Sequence, residues 1–337
     1  MQGAVFKGNR SVELQTFDDP VPGPDEVVLA IQASGICGTD LHKYRAADPG
    51  SHIAGHEPCG TVLARGSAVD ARMAPDGARM MVHHYDGCRM CSNCMTGWTH
   101  LCDEGSVIYG TTGHGAHAPY MKVPVRTLVP LPEALSYTEG AAVSCGTGTA
   151  FGALRRMKME GGATLAVIGQ GPVGLSATML ATSMGARVIA ADVAPDRLAR
   201  AQAFGAADLV DARDGLEERL RELTGGKGVD YVLECSGNGP AAVAALRATR
   251  TWGTMAFVGM GGQATLDIDT DIIRRQVTML GSWTFSATLQ KECAEFCAAR
   301  ELPVGDLFTH AFALDQVSEA YTLFDNQTTG KMVIHPN

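Results

Sequence analysis

Thr164-Leu165-Ala166-Val167-Ile168-Gly169-Gln170-Gly171-Pro172-Val173-Gly174 runs from a continuous apolar stretch through three closely spaced glycines and into a helical pattern. An apolar run of this length, ended by a glycine turn, predicts a strand buried on both faces. The helix is expected to start at Val173, with Pro172 in the first turn, where the missing backbone N–H costs nothing. In such a strand–turn–helix the first glycine permits the tight turn. The second lets a pyrophosphate approach the backbone, and the third lets helix and strand pack closely. Asp192 ends a second apolar run, 187–192, where a carboxylate can accept hydrogen bonds from both hydroxyls of a ribose and repels a 2′-phosphate. Together these features predict a dinucleotide site with Gly169, Gly171, Pro172, Val173, Gly174 and Asp192 as contacts, and NAD rather than NADP as its cofactor.

Working outward, apolar strand-like runs at 164–169, 187–192, 208–210, 231–235, 255–259 and 278–280 alternate with helical patterns. Strands of this kind imply a parallel sheet covered on both faces, an α/β doubly wound (Rossmann) domain over 150–283. Residues 1–149 read differently, with short β-like runs such as 26–33 and 60–64 broken by Pro and Gly clusters, as in an irregular β domain. Residues 284–337, helical at 293–300 and strand-like at 331–335, are too few for a third domain and are expected to return to the first.

Cys88, Cys91, Cys94 and Cys102 lie within a polar stretch flanked by Gly87 and containing Gly97. Four thiolates this close in sequence can curl around one tetrahedral zinc, making a closed lobe over 86–103. Because protein fills all four positions, that zinc is expected to be structural. Cys59, Cys235, Cys293 and Cys297 read as packed thiols, and His83, His100 and His114 have no assigned role.

The 337 residues carry 27 Lys and Arg against 36 Asp and Glu, a net charge of −9. With no basic stripe interleaved with aromatics, nucleic acid and anionic membrane surfaces are poor partners. No apolar run is long enough to span a bilayer, and Met1-Gln2-Gly3-Ala4-Val5 lacks a signal core, so the expected location is cytoplasmic. In a reducing compartment, ten cysteines favour metal binding and reduced thiols over disulfides.

Gly35-Ile36-Cys37-Gly38-Thr39-Asp40-Leu41-His42, Gly55-His56-Glu57 and Ser144-Cys145-Gly146-Thr147-Gly148-Thr149 complete the pattern. With the cysteine lobe and the glycine turn, they resemble the zinc-dependent medium-chain alcohol dehydrogenases over essentially the whole chain, on the side of the polyol and threonine dehydrogenases. The resemblance implies a GroES-like catalytic domain, two zincs per chain, NAD and a homodimer or homotetramer paired through 277–283. It further implies that Cys37, His56 and Cys145 hold a catalytic zinc with one open position, and that Glu57 sits behind it or joins it transiently. Asp40 would orient His56, Thr39 would take the substrate proton and His42 would pass it on. Thr149 would lie on the cofactor side. Lys331 matches a basic position against the pyrophosphate and reads equally as a solvated edge lysine.

Gly38 stands where liver-type relatives carry an arginine, while His84 and His117 fall near positions that are often aromatic pocket walls. Polar walls suit polar substrates; both histidines read equally as lobe or surface residues. The expected activity is hydride transfer from a polar secondary or primary alcohol, such as a polyol or sugar derivative, to NAD. The alternatives are an L-threonine 3-dehydrogenase, which the segment 97–102 slightly resembles, and a non-catalytic NAD-binding or structural relative.

Overall fold

The computed structural model describes residues 1–326 and 330–337, and the chain divides into two compact units, Met1–Gly148 with Phe285–Asn337, and Thr149–Thr284. In the latter, six parallel strands lie side by side in the order Asp208–Asp211, Arg187–Asp192, Thr164–Ile168, Val229–Glu234, Thr249–Phe257, Thr278–Gly281. Chain order reverses at Thr164–Ile168, the doubly wound arrangement, which opens a crevice at the carboxyl ends of the strands. Leu165, Ala166 and Val167 have no exposed surface, as expected of a run apolar on both faces. The helices Pro172–Ser183, Pro195–Ala203, Leu216–Leu223 and Gly239–Ala248 carry the chain back between strands. Thr249–Phe257 begins earlier than its apolar residues suggest, because the β-branched residues at 249 and 251 extend it across a bulge opposite Val229 and Tyr231.

The other unit is built on a seven-stranded sheet whose order is Phe308–Ala313, Lys331–His335, Glu26–Ile36, Glu57–Arg65, Arg79–Val82, Leu128–Pro130, with Tyr120–Pro124 also pairing with Glu26–Ile36. The long strand Glu26–Ile36 serves two cores. Val27, Leu29 and Ile31 alternate into one with Val62, Val82, Met121 and Val123. Ile36 enters another with Phe6, Tyr44, Tyr321, Met332 and Ile334. Ser34 and Gly35 interrupt the apolar run yet stay in the strand, because Glu57–Arg65 and Lys331–His335 hydrogen-bond to them from either side. Among the described residues no helix is long and apolar enough to cross a membrane.

Candidate active site

Cys37 follows the strand Glu26–Ile36 and His56 precedes Glu57–Arg65; Gly35 pairs with Glu57, so the two ligand candidates emerge side by side. Cys145 comes in after the helix Tyr137–Val143, whose start is fixed by a reciprocal cap between Ser136 and Glu139. Ligand atoms of Cys37, His56, Glu57 and Cys145 all lie within 4.8 Å of one another. Cys37 Sγ is 3.8 Å from Cys145 Sγ, which is 3.4 Å from His56 Nε2. The edges of a tetrahedron with ordinary zinc–sulfur and zinc–nitrogen bonds are about 3.8 and 3.6 Å, so the donor set fits that ion. Thr39 Oγ1, on an exposed residue, stands 3.4 Å from Cys37 Sγ and 3.5 Å from His56 Nε2.

Hydrogen bonds to Asp40 fix the orientation of two of these donors. Asp40 Oδ1 accepts from His56 Nδ1 at 2.7 Å, and Asp40 Oδ2 accepts the Cys37 backbone N–H at 2.9 Å. His56 Nε2 is thereby the ring nitrogen turned towards the thiols. Burial alone would lower the His56 pKa, but the Asp40 carboxylate and then Cys37 outweigh it and raise it well above the usual value. The thiols divide their proton unequally. Cys37 is held well below the ordinary range, first by the hydrogen bond from Cys145, and Cys145 is pushed well above it.

Lys331 does not lie on a solvated edge, which corrects that expectation. Its strand is the second of the sheet, between Phe308–Ala313 and Glu26–Ile36, so the side chain turns inward. At 2% exposure, its Nζ sits 2.5 Å from Glu57 Oε2 and donates to Ile36 O at 3.3 Å. Neither Glu57 oxygen receives a well-directed hydrogen bond among the described residues. Burial pushes the Glu57 carboxyl up to about 7, against the pull of Lys331. Gly35 is required beneath it, since a Cβ there would collide with the Glu57 carboxylate.

The two histidines expected at a pocket wall part ways. His84 is buried, its ring centroid 5.0 Å from that of His56, and its Nδ1 donates to Ser144 O at 3.0 Å, leaving Nε2 as an acceptor. Burial and the neighbouring His56 hold it well below its usual pKa, so the ring is neutral. His117 is not a wall residue. It is fully buried, and both ring nitrogens are engaged, with Ser34 and with Tyr321. His42 lies on the short helix Asp40–Arg45 and is exposed, and a Cβ on Gly38 would meet nothing within 4 Å.

Cys88, Cys91, Cys94 and Cys102 bring their sulfurs within 4.8 Å of one another. Backbone N–H groups of Cys88 and Cys91 point at the sulfurs of Cys102 and Cys88, at 3.2 and 3.4 Å, as suits thiolates. The segment contains only the strand pair Tyr85–Asp86 and Val107–Ile108, the helix Ser92–Met95 and the turn Thr99–Leu101. A Cβ on Gly87 would collide with Cys94 Sγ.

In Thr149–Thr284 the three glycines behave differently. Gly169 has φ +87, a Cβ on Gly171 would face open space, and one on Gly174 would collide with Gly169 O. The turn is thus tight, approachable and close-packed, in that order. It borders a cavity of about 570 Å³ lined also by Asp192, Arg197, Cys235 and Ser236. The helix Pro172–Ser183 begins one residue before Val173. Asp192 accepts the N–H of Gln170 at 2.6 Å and of Ala194 at 2.9 Å. Arg197, in the next helix Pro195–Ala203, reaches within 3.8 Å of it. Thr149 is buried.

Residues 23–133 match the family model of the alcohol dehydrogenase GroES-like domain, and residues 172–299 that of the zinc-binding dehydrogenases. Over 99% of its length the chain is 37% identical to the uncharacterized zinc-type alcohol dehydrogenase-like protein YphC of Escherichia coli, covering 98% of that protein. It is 31% identical to the sorbitol dehydrogenase of Bacillus subtilis over all of this chain and 98% of that one. A solved NAD-dependent alcohol dehydrogenase superposes with a TM-score of 0.89 at 27% identity, each chain covered completely. The protein belongs to the zinc-dependent medium-chain alcohol dehydrogenase family.

Proposed function

We propose that this chain is an NAD-dependent zinc dehydrogenase for polar alcohols such as polyols and sugar derivatives. The observation that carries it is the set Cys37, His56 and Cys145, spaced as three corners of a tetrahedron, with His56 oriented by Asp40 and a hydroxyl, Thr39 Oγ1, beside its outer side. When bound, the zinc supplies Lewis acidity towards a substrate hydroxyl and NAD supplies the hydride acceptor. Asp40 keeps the His56 ring in one tautomer, with its proton on Nδ1. Thr39 Oγ1 receives the substrate hydroxyl proton, and His42, exposed on the next helical turn, passes it to solvent. Gly169 and Gly171 hold the pyrophosphate at the start of the helix Pro172–Ser183, and Asp192 holds the ribose. A buried neutral His84 with a free acceptor nitrogen beside His56, together with the sorbitol dehydrogenase relative, supports a hydroxyl-rich substrate.

NADH formation across a panel of polyols, sugar alcohols, L-threonine and hexanol tests this. A preference for L-threonine moves the reading to the threonine dehydrogenase alternative; no turnover of any alcohol by protein holding two zincs moves it to the non-catalytic one. His84→Phe is expected to lower kcat/KM on the preferred polar substrate roughly tenfold to a hundredfold and to raise relative activity on hexanol, at unchanged zinc content. Equal losses on both substrates would remove His84 from the substrate side.

For the cofactor, a 2′-phosphate beside Asp192 is expected to cost roughly 1–3 kcal/mol, giving NAD about a tenfold to hundredfold advantage in kcat/KM over NADP. Arg197, 3.8 Å from that carboxylate, is the group that would narrow the margin. Parity between the two cofactors, abolished by Arg197→Ala, would overturn the assignment to Asp192.

A further inference from the structure

Two adjacent histidines stand where the chain leaves the seven-stranded sheet and enters the cysteine lobe, between the strands Arg79–Val82 and Tyr85–Asp86. They serve different sides. His84 turns to the catalytic residues, with Nδ1 3.0 Å from the carbonyl of Ser144, the neighbour of Cys145, and its ring centroid 5.0 Å from that of His56. His83 turns to the lobe, with Nε2 3.1 Å from the hydroxyl of Thr99, three residues before Cys102. The same hydroxyl donates to Tyr85 O at 3.0 Å. Thr99 thus grips the chain on both sides of His84, by the side chain before it and the carbonyl after it.

The direction of each proton follows from the threonine. A hydroxyl has one proton and a carbonyl can only accept, so Thr99 Oγ1–H goes to Tyr85 O and His83 Nε2–H donates to Thr99 Oγ1. That fixes the tautomer of His83. Burial, and then the neighbouring His100, lower the His83 pKa to about 4, so the ring is neutral and carries this single proton. Thr99 is itself tied within the lobe, because its carbonyl accepts the Cys102 N–H at 3.2 Å and the Ser106 hydroxyl. His83 N–H still reaches the sheet side, donating to Thr127 O at 2.8 Å, whereas His84 O accepts from Tyr109 N–H at 3.0 Å. From the His84 carbonyl onward the chain is therefore held by Tyr109 and Thr99 rather than by the sheet.

We propose that Thr99 is a positioning residue for substrate choice: through the His83 ring and the Tyr85 carbonyl it sets the angle at which His84 meets the substrate. The inference rests on the reading of His84 as a residue on the substrate side. Without the Thr99 hydroxyl, the buried His83 Nε2–H and the Tyr85 carbonyl lose their shared partner, and a buried polar group left unpaired is costly. The segment can regain partners only by turning, which carries the His84 ring with it. Because the displacement reaches the site through His84, it falls on the binding of a polar alcohol rather than on the chemical step.

The test uses the full chain with both zincs, the polar alcohol it turns over best among sorbitol, xylitol and L-threonine, and hexanol as the apolar reference. Thr99→Val keeps the shape of the side chain and removes the hydroxyl. It is expected to raise KM for the polar alcohol about threefold to tenfold, with kcat within about twofold, KM for hexanol unchanged and both zincs retained. Thr99→Ser, which restores the hydroxyl, is expected to match the parent. His83→Phe breaks the same bond from its other end and is expected to move KM in the same direction, so the outcome does not hang on one variant. In protein with isotope-labelled histidine rings, NMR should place a proton on His83 Nε2 in the parent and in Thr99→Ser, and should show shifted His83 and His84 signals in Thr99→Val. Parent KM and parent His84 signals in Thr99→Val, or equal KM increases for both alcohols, would overturn the proposal. His84→Phe separates the two failures. If it changes the preference between the alcohols while Thr99→Val and His83→Phe do not, only the positioning role fails; if it leaves the preference at the parent value, the placement of His84 on the substrate side fails and the inference falls with it.

Discussion

Cys37→Ser is expected to give a folded protein with one zinc per chain and kcat/KM on its alcohol lowered by roughly a thousandfold or more, about 4 kcal/mol of lost transition-state stabilisation. The fold should survive because Cys37 hangs from the end of Glu26–Ile36, a strand paired on both sides and anchored in two cores without help from a metal. Cys91→Ser should behave the other way. Its segment has two-residue strands and a four-residue helix, and thus no core except the four sulfurs, so loss of the ion unravels it and lowers stability before it touches chemistry. Zinc analysis, circular dichroism and steady-state kinetics on the two variants check this. Equal stability losses in both, or a Cys37→Ser protein that still turns over, would refute the division of roles.

Lys331→Met is expected to destabilise by about 3–5 kcal/mol, because it leaves Glu57 buried without a cation. For a unit of this size that is a fall of roughly 6–20 °C in Tm. The pair itself need not be stabilising, since replacing both members of a buried ion pair by neutral groups is often neutral or better. Glu57→Gln with Lys331→Met should therefore recover most of the loss, and the double-mutant cycle should show strong coupling. Thermal unfolding of the two single variants and the double variant decides it. A Lys331→Met protein within about 0.5 kcal/mol of the parent would mean that the lysine is not what holds Glu57.

The dinucleotide unit is legible in the sequence because its information is local. Each buried strand is a short apolar run, and each glycine of 169–174 has a separate steric task that depends only on its neighbours. The cysteine lobe is legible for the same reason. What local reading misses is who faces whom across the other unit. Lys331 belongs to a short strand-like run whose lysine reads as a solvent group, since interior lysines are rare. Only its pairing with Glu26–Ile36, 295 residues earlier, puts it indoors. His117 and Tyr321 are 204 residues apart and carry no mutual pattern; a histidine between two alanines gives no sign that both its nitrogens are occupied. The one available hint was Gly55, a glycine directly before a ligand histidine, which signals that something must pack close there.

The strand Lys331–His335 also imposes an order on synthesis. Thr149–Thr284 leaves the ribosome as one continuous piece and can close its parallel sheet at once. The Ser34–Ile36 end of Glu26–Ile36 cannot, because its partner is encoded 295 residues downstream. At about 5–20 residues per second, that delay is on the order of 15–60 s. During it the nascent chain carries a bare strand edge beside Cys37 and an acid at position 57 with no cation, the kind of surface on which unfinished chains pair with one another. Slowing translation late in the message should therefore cost more soluble protein than slowing it early, with every residue of the finished molecule unchanged.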